Sequence, residues 1–158
     1  MRALVQRVRE GSVAIGGQTI ARISRGYVIL LGVKQGDTRE AARFLAEKCA
    51  HLRVLEDAGG KMNLSLEDVG GSALVVSQFT LYADAQKGNR PGFSLAARPE
   101  EAEPLYVAFV DRMRALLGPE RVVTGTFGAM MEVTIVNDGP VTILIESGNQ
   151  PNERSTES

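Results

Sequence analysis

The chain is organised around residues 72–83, SALVVSQFTLYA. This stretch opens with four consecutive apolar residues, 73–76. An unbroken apolar run of this kind is typical of a strand that is buried on both faces. The stretch therefore predicts a strand at the centre of the core.

Polar side chains follow this run directly. Ser77, Gln78 and Thr80 bring two hydroxyls and an amide to the end of the strand, and a long polar loop comes next. A core strand that delivers such groups to its end, beside a loop, is a common way to build a reaction site. Because serine and threonine are ordinary on strands, an alternative stays open in which these side chains only face water.

Length and composition favour a single domain. The chain has 158 residues, of which 44% are hydrophobic, so one domain with its own core is expected. Its apolar runs are too short to span a membrane, and its first residues do not read as a signal peptide. One cysteine cannot form an internal disulfide, and we predict a cytosolic protein.

Three features of the composition restrict the kinds of site that the protein can have. They are the single cysteine, the single histidine and the net charge. Cys49 falls on a predicted helix face, where core filling is the expected role and a nucleophile is the alternative. His51 alone cannot make a zinc site with several histidine or cysteine ligands, and any serine–histidine triad would have to use it. The net charge is −1, so binding of nucleic acid requires a local basic patch.

The first half of the chain predicts antiparallel strands followed by a helix. Asp37, with Glu40 three residues on, has capping-box spacing and marks the expected start of the helix. A short strand at 52–55 and a connector at 63–71 follow. The expected strands, joined by short turns, are residues 3–8, 12–15, 18–23 and 27–33. The expected apolar helix face is Ala41, Phe44, Leu45, Cys49 and Leu52.

A basic loop opens the second half. Residues 84–98 lack apolar periodicity, and loops of this length are often functional. They hold Lys87, Arg90 and Arg98 against Asp84, a local balance of +2. The alternative is a surface excursion without a function.

The remaining elements are a helix, three strands and a tail. Pro99 suits the first turn of a helix, and Gly118 with Pro119 ends it. Residues 147–158 are polar and predict a disordered tail. The expected helix stripe is Ala102, Leu105, Tyr106, Phe109, Met113 and Leu116. The expected strands are 122–124, 130–136 and 140–146.

Residues 137–142, NDGPVT, are the second informative stretch. Asn137, Asp138 and Gly139 form a strong turn signal. Pro140 cannot donate to a sheet ladder, so it belongs at a strand start or edge, and the bond before it can be cis at modest cost. Because Gly139 has no Cβ, another molecule can approach its backbone closely. A hairpin with a proline stop is the alternative.

Residues 77–81, SQFTL, and 137–142 together resemble the two signature motifs of D-aminoacyl-tRNA deacylases. The resemblance covers about residues 1–146 in the same order. It departs from the family at Asn89 and Gly92, where arginine and serine are frequent. Further segments that resemble the family are 1–8, 36–38, 61–63, 87–88 with 90–91, and 127–130.

The resemblance implies both a fold and an activity. The implied fold is α+β, a single domain over residues 1–146 with a barrel-like, largely antiparallel β core flanked by two main helices. The implied protein is a homodimer with its active sites at the subunit interface and needs no cofactor or metal. The implied reaction hydrolyses the ester of D-aminoacyl-tRNA, and of glycyl-tRNA mischarged on tRNA(Ala), while L-aminoacyl-tRNA is rejected.

The resemblance also assigns residues to the rejection of L-amino acids. Gly139 and Pro140 of one subunit enter the active site of the other, Arg7 fixes that segment by hydrogen bonding, and Ser77 and Gln78 belong to the pocket wall. Suppose that backbone atoms fix the amino group and the carbonyl of the substrate. The D and L forms then place their side chain and their hydrogen at opposite positions on Cα. A group placed where the L side chain would lie therefore rejects it and lets glycine pass.

The chemistry expected of this site is sparse. Neither motif has a histidine nearby, so Thr80 is a poor nucleophile unless something activates it. We predict that the 2′-hydroxyl of the terminal ribose assists hydrolysis, that main-chain N–H groups at Phe79 and Thr80 stabilise the oxyanion, and that Thr80 positions the substrate. The alternative is a non-catalytic dimer that binds RNA or a small ligand. The expected contacts to tRNA phosphates are Lys87, Arg90 and Arg98.

Overall fold

The structure is a computed structural model that describes residues 1–148. Of the predicted tail, residues 149–158 lie outside this description. Ser147, the first residue of the predicted tail, is buried, and its hydroxyl accepts a hydrogen bond of 2.7 Å from the Met1 ammonium group. Within residues 1–148, no helix is both long and apolar enough to cross a membrane.

Eight strands and three α-helices make up the described fold. The strands are β1 (Arg2–Ile15), β2 (Gln18–Ile23), β3 (Gly26–Gly32), β4 (Leu55–Glu56), β5 (Met62–Leu64), β6 (Ser72–Ser77), β7 (Val122–Thr124) and β8 (Glu132–Glu146). The helices are α1 (Arg39–His51), α2 (Leu66–Val69) and α3 (Pro99–Leu117). Short 3-10 turns lie at Phe79–Tyr82 and Pro119–Arg121.

The strand β1 organises the main sheet. Its first half pairs with β3 on one side, its second half pairs with β2, and β8 runs along nearly its whole length on the other side. These three pairings are antiparallel, whereas β3 with β6 and β6 with β7 are parallel. The result is the predicted α+β fold with a barrel-like, largely antiparallel β core, and the antiparallel start of the chain is confirmed.

The strand β6 is buried on both faces, as its apolar run predicts. Ala73 and Val75 face one cluster of core residues, which includes α1 and α3, while Leu74 and Val76 face a second cluster inside the curved sheet. The adjacent strand β3 divides its side chains in the same way, with Ile29 on the helical side. Successive strand residues point to opposite faces, so β3 and β6 separate the two clusters.

The start of α1 differs from the prediction. Thr38, and not Asp37, caps the helix by accepting a hydrogen bond from the main-chain N–H of Ala41 at 3.2 Å. The Asp37 carboxylate instead forms an ion pair of 2.9 Å with the Met1 ammonium group and accepts from the Lys34 N–H. The predicted cap position was therefore wrong by one residue. Asp37 has a tertiary partner, the Met1 ammonium group, that the local sequence does not reveal.

The buried face of α1 is also rotated from the expected one. Phe44 is 37% exposed, with the Lys48 ammonium group above its ring. Cys49 is fully buried, so its predicted role in core filling is confirmed, and burial raises the pKa of its thiol to about 12. The residues that α1 buries are Ala41, Ala42, Leu45, Ala46, Cys49 and Ala50. Four of these six residues are alanines, which hydrophobicity alone ranks below Phe44.

The helix α3 begins at Pro99 and ends before Gly118, as predicted. Its buried face includes Val110 and Leu117 in addition to four of the predicted stripe residues. The predicted connector at 63–71 is more ordered than expected. It contains part of β5 and the whole of α2, whose capping box joins Ser65 to Asp68 and lowers the pKa of the Asp68 carboxyl through hydrogen bonds from Ser65.

The segment around 137–139 does not form the predicted turn. β8 continues through it from Glu132 to Glu146, and only the register with β1 is irregular there. The Asn137 side-chain amide accounts for the irregular register. Its oxygen accepts from the Val141 N–H at 2.8 Å, and its nitrogen donates to the Val141 carbonyl at 3.2 Å. These two bonds hold the local excursion without reversing the chain.

Candidate active site

The polar stretch after β6 is a 3-10 turn and not a continuation of the strand. The Gln78 N–H makes a last bond to the Leu31 carbonyl at 2.8 Å, after which Leu81 and Ala83 donate back to Gln78 and Thr80. The turn at Phe79–Tyr82 lies across the end of β3 at Gly32. A Cβ at Gly32 would lie only 3.0 Å from the Cβ of Leu81, so this glycine permits the close approach.

This turn presents polar groups at the protein surface. Phe79 and Thr80 are exposed, and Gln78 makes no side-chain cap to the turn. Because the first N–H groups of a 3-10 turn have no acceptor inside it, those of Phe79 and Thr80 are available to a ligand. The Gln78 side-chain amide donates a hydrogen bond to the Thr80 hydroxyl, which fixes the position of that hydroxyl.

A pocket of about 550 Å³ opens beside the turn. This volume lies within the range of about 300–1,000 Å³ that is common for small-molecule sites. Ser77, Gln78 and Phe79 line it, whereas Thr80 is not among its lining residues. The opposite wall consists of residues 127–131, which the sequence analysis did not assign to the site although FGAM, 127–130, was part of the family resemblance.

No histidine borders this pocket. His51, the sole histidine of the chain, lines a separate cavity of about 430 Å³ along α1. A triad that combines Ser77 with His51 is therefore excluded. Within residues 1–148, no group of three or more His, Cys, Asp or Glu side chains is arranged to hold a metal ion.

Arg7 is buried and bridges distant parts of the chain. Its Nε donates to the Asp138 carbonyl at 2.8 Å, and its Nη1 donates to the Val54 carbonyl at 2.8 Å. Weaker ion pairs reach Glu56 at 3.8 Å and the Asp138 carboxylate at 3.9 Å. The guanidinium group thus contacts the backbone immediately before Gly139.

Gly139 and Pro140 are exposed and joined by a cis peptide bond. A Cβ added to Gly139 would lie 2.6 Å from the Val141 nitrogen, and the φ of +153° is one that side chains rarely adopt. Neither residue lines the pocket of its own chain. The two predicted halves of the site are therefore not brought together within one chain.

The loop 84–98 presents its cations to solvent. Lys87, Arg90 and Arg98 are exposed, and none of the three forms an ion pair within the described part of the chain. The base of the loop is closed by two hydrogen bonds of 2.8 Å between the backbones of Asp84 and Gly92. Loop and pocket adjoin, because Ala97 and Pro99 line the pocket.

Arg2 supports the 3-10 turn, a role that the sequence analysis did not identify. Its Nη1 donates to the Leu81 carbonyl at 2.8 Å, its guanidinium carbon lies 4.5 Å from the centre of the Tyr82 ring, and its Nε pairs with Glu146 at 2.6 Å. Arg2 therefore ties the turn to β1 and β8. Arginines interleaved with apolar residues are usually solvated, and no local pattern separates Arg2 or Arg7 from the exposed Arg9.

Comparisons with known proteins give consistent matches over most of the chain. A model of the family described as D-Tyr-tRNA(Tyr) deacylase matches residues 4–146. The D-aminoacyl-tRNA deacylase of Symbiobacterium thermophilum is 58% identical over 147 residues, which are 93% of this chain and 96% of that protein. The D-aminoacyl-tRNA deacylase of Thermus aquaticus is 54% identical over 157 residues, which are 98% of this chain and all of that protein.

A solved structure matches the fold over most of the chain. The protein described as c-Myc DNA Unwinding Element Binding Protein superposes with a TM-score of 0.88 at 45% identity, covering 92% of this chain and 98% of that one. Fold, pocket and matches together define an enzyme of the hydrolase class, a deacylase. The chain belongs to the D-Tyr-tRNA(Tyr) deacylase family. The predictions of fold class, family and enzyme class are confirmed, which favours the enzyme over the non-catalytic alternative.

Proposed function

We propose that the protein hydrolyses the ester bond of D-aminoacyl-tRNA, and of glycyl-tRNA mischarged on tRNA(Ala), to free amino acid and tRNA. The pocket beside the turn at Phe79–Tyr82 carries this proposal. Its volume of about 550 Å³ suits the terminal adenosine with its amino acid, and Phe79, whose N–H group is available, lines it, with Thr80 as the next residue of the turn. Ser77 and Gln78 form part of its wall.

The rejection of L-aminoacyl-tRNA requires a second copy of the chain in this proposal. Gly139 and Pro140 are exposed and do not line their own pocket, so a partner subunit has to supply them. Arg7 holds the backbone just before them, which suits a segment that must keep its shape while it projects from the surface. A homodimer with two shared sites follows, and specificity comes from repulsion of the L side chain.

The proposed mechanism relies on the substrate and on main-chain groups. Because no histidine borders the pocket, the 2′-hydroxyl of the terminal ribose orients and activates the attacking water. The Phe79 and Thr80 N–H groups stabilise the negative charge that develops on the carbonyl oxygen of the ester. Thr80 positions the substrate, since its hydroxyl already accepts a bond from the Gln78 amide and has no base beside it.

Three further parts of the proposal concern the rest of the molecule. Lys87, Arg90 and Arg98 contact phosphates of the acceptor end, because they are exposed on a loop that has a balance of +2 and that borders the pocket at Ala97. Residues 1–146 act as one domain. We place the protein in the cytosol, where its substrate would be found.

A paired deacylation assay tests the function. D-tyrosyl-tRNA and L-tyrosyl-tRNA are incubated with the same enzyme concentration, and loss of the ester is followed over time. We expect rapid loss of the D ester and no change in the L ester beyond the enzyme-free rate. Loss of both at equal rates would show an esterase without the chiral filter at Gly139 and Pro140, and loss of neither would overturn the function.

A second experiment separates the proposed mechanism from nucleophilic attack by Thr80. Replacing the terminal adenosine by its 2′-deoxy form removes the assisting hydroxyl, so we expect a loss of at least a hundredfold in deacylation. Thr80→Ala should cost less than about a thousandfold, because orientation by one hydroxyl rarely supplies more than that. A larger loss in a variant with unchanged circular dichroism, together with an unaffected 2′-deoxy substrate, would assign the reaction to Thr80.

A further inference from the structure

Two aromatic rings are exposed side by side at the rim of the pocket. Phe79 is 57% exposed and Phe93 is 42% exposed, and their ring centres lie 5.3 Å apart with an angle of 58° between the planes. Phe79 lines the pocket, whereas Phe93 comes from the loop 84–98 and lies outside it. Contiguous apolar patches on a surface are typical of binding sites, whereas single exposed apolar residues are ordinary.

The backbone holds Phe93 at a defined position. The preceding residue, Gly92, exchanges two hydrogen bonds of 2.8 Å with Asp84. The Phe93 carbonyl accepts from Ala96 at 3.2 Å, and the Leu95 carbonyl accepts from Gln35 at 3.0 Å. The ring is therefore presented by an anchored segment, so that a ligand that binds it does not have to order the backbone first.

The surroundings of the ring pair favour a nucleic acid strand over an apolar partner. Lys87 and Arg90 lie in the exposed loop between the Asp84–Gly92 pairing, and Arg98 follows five residues after Phe93. Aromatic rings combined with unpaired cations are the usual surface for single-stranded nucleic acid, because bases stack on the rings while cations contact the phosphates.

We propose that Phe93, together with Phe79, is a stacking platform for the unpaired nucleotide that precedes the terminal adenosine of the tRNA. This inference rests on the proposed function and extends it. The pocket holds the terminal nucleoside with its amino acid, so the preceding nucleotide has to lie across the rim, where Phe93 is. Phe93 would thus distinguish a full tRNA from its terminal aminoacyl-nucleoside.

Kinetics with a full and a truncated substrate test this role. The Phe93→Ala variant is compared with the wild type on D-tyrosyl-tRNA and on 3′-D-tyrosyl-adenosine, which lacks the preceding nucleotide. Stacking on an aromatic ring changes binding by about five- to a hundredfold, so KM for the tRNA should rise by about that factor at an unchanged kcat. KM for the nucleoside ester should stay the same. Phe93→Trp should restore the tRNA KM and Phe93→Leu should not.

Phe44→Ala is the matched control, because Phe44 is similarly exposed at 37% but lies on α1, outside the pocket. It should leave both substrates unaffected. An equal loss on tRNA and nucleoside ester by Phe93→Ala would show that Phe93 supports the pocket or the subunit interface and would overturn the inference. Unchanged kinetics on both substrates would also overturn it.

A binding experiment tests the inference with a readout that does not depend on catalysis. An uncharged acceptor minihelix carries the fluorescent base pyrrolo-cytosine at the position before the terminal adenosine. Stacking should change its fluorescence on addition of the wild type and of Phe44→Ala, and Phe93→Ala should abolish the change. A wild type that deacylates D-tyrosyl-tRNA without any fluorescence change would overturn the platform and leave the proposed function intact. A fluorescence change without deacylation would support the platform and overturn the proposed function.

Discussion

Arg7 shows how one buried side chain can connect the fold to the site. Its two bonds of 2.8 Å join the Val54 carbonyl, after α1, to the Asp138 carbonyl within β8. A guanidinium group presents several donors in a rigid plane, so it can satisfy two carbonyls in different directions at once. The backbone before Gly139 is thereby attached to a rigid part of the molecule and not only to its own strand.

Removal of the Arg7 guanidinium should therefore affect stability and activity together. Arg7→Met keeps an extended chain but leaves the Val54 and Asp138 carbonyls without their donor, so we expect a loss of about 1–3 kcal/mol in the free energy of unfolding. Deacylation should fall at least tenfold at a temperature where the variant is folded. Urea unfolding monitored by circular dichroism, combined with the deacylation assay, measures both effects.

Arg9→Met is the matched control, since Arg9 lies two residues further along β1 and is exposed. Its free energy of unfolding should change by less than about 0.5 kcal/mol. A stable and fully active Arg7→Met variant would show that the segment before Gly139 keeps its shape without the arginine.

At the scale of elements, the sequence predicts what depends on local pattern and misses what depends on tertiary partners. The sequence predicted the buried run 73–76, the start of α3 at Pro99 and the antiparallel first strands. These features depend on the periodicity of apolar residues and on the chemistry of proline, which are local properties. The 3-10 turn at Phe79–Tyr82 was not predicted, because the sequence indicates only that polar residues follow the buried run. What ends the strand is the space above Gly32, which only the fold creates.

The long strand β8 shows the same limit. Asn137, Asp138 and Gly139 have the composition of a hairpin turn, yet the chain continues because β1 offers a partner along nearly its whole length. Sequence composition does not include that partner. The candidate site was likewise predicted in part. Its motifs, including FGAM, were found through the family resemblance, whereas the pocket role of Phe127–Met131 and the position of Phe93 depend on how distant segments meet.

At the scale of the whole molecule, our proposal requires an assembly of two chains to complete the site. β8 leaves apolar side chains on the surface, with Val136 40% and Leu144 52% exposed. Among the described strands it pairs with β1 alone. The exposed face of β8 alternates these two apolar residues with polar ones such as Thr134 and Thr142. We propose that this face binds a second copy, which also carries Gly139 and Pro140 to the neighbouring pocket.

A charge on this strand should separate the subunits and stop the reaction. Leu144→Glu would place a carboxylate in the proposed interface, so we expect the molar mass to fall by half in sedimentation equilibrium. Deacylation should be lost by at least a hundredfold, because each pocket then lacks the partner segment. Ile20→Glu, at a residue of β2 that is 45% exposed, should leave mass and activity unchanged. A fully active monomer would show that one chain contains the whole site.

The burial of Cys49 gives this chain a built-in probe of its own opening. The chain contains one thiol, which lies on the buried face of α1, and burial raises its pKa to about 12, so at neutral pH it is both shielded and protonated. A thiol reagent can modify only those molecules in which α1 has moved away from the sheet. The rate of labelling therefore reports, without any mutation, how often the buried face of this helix becomes accessible, through local opening or through unfolding of the whole protein.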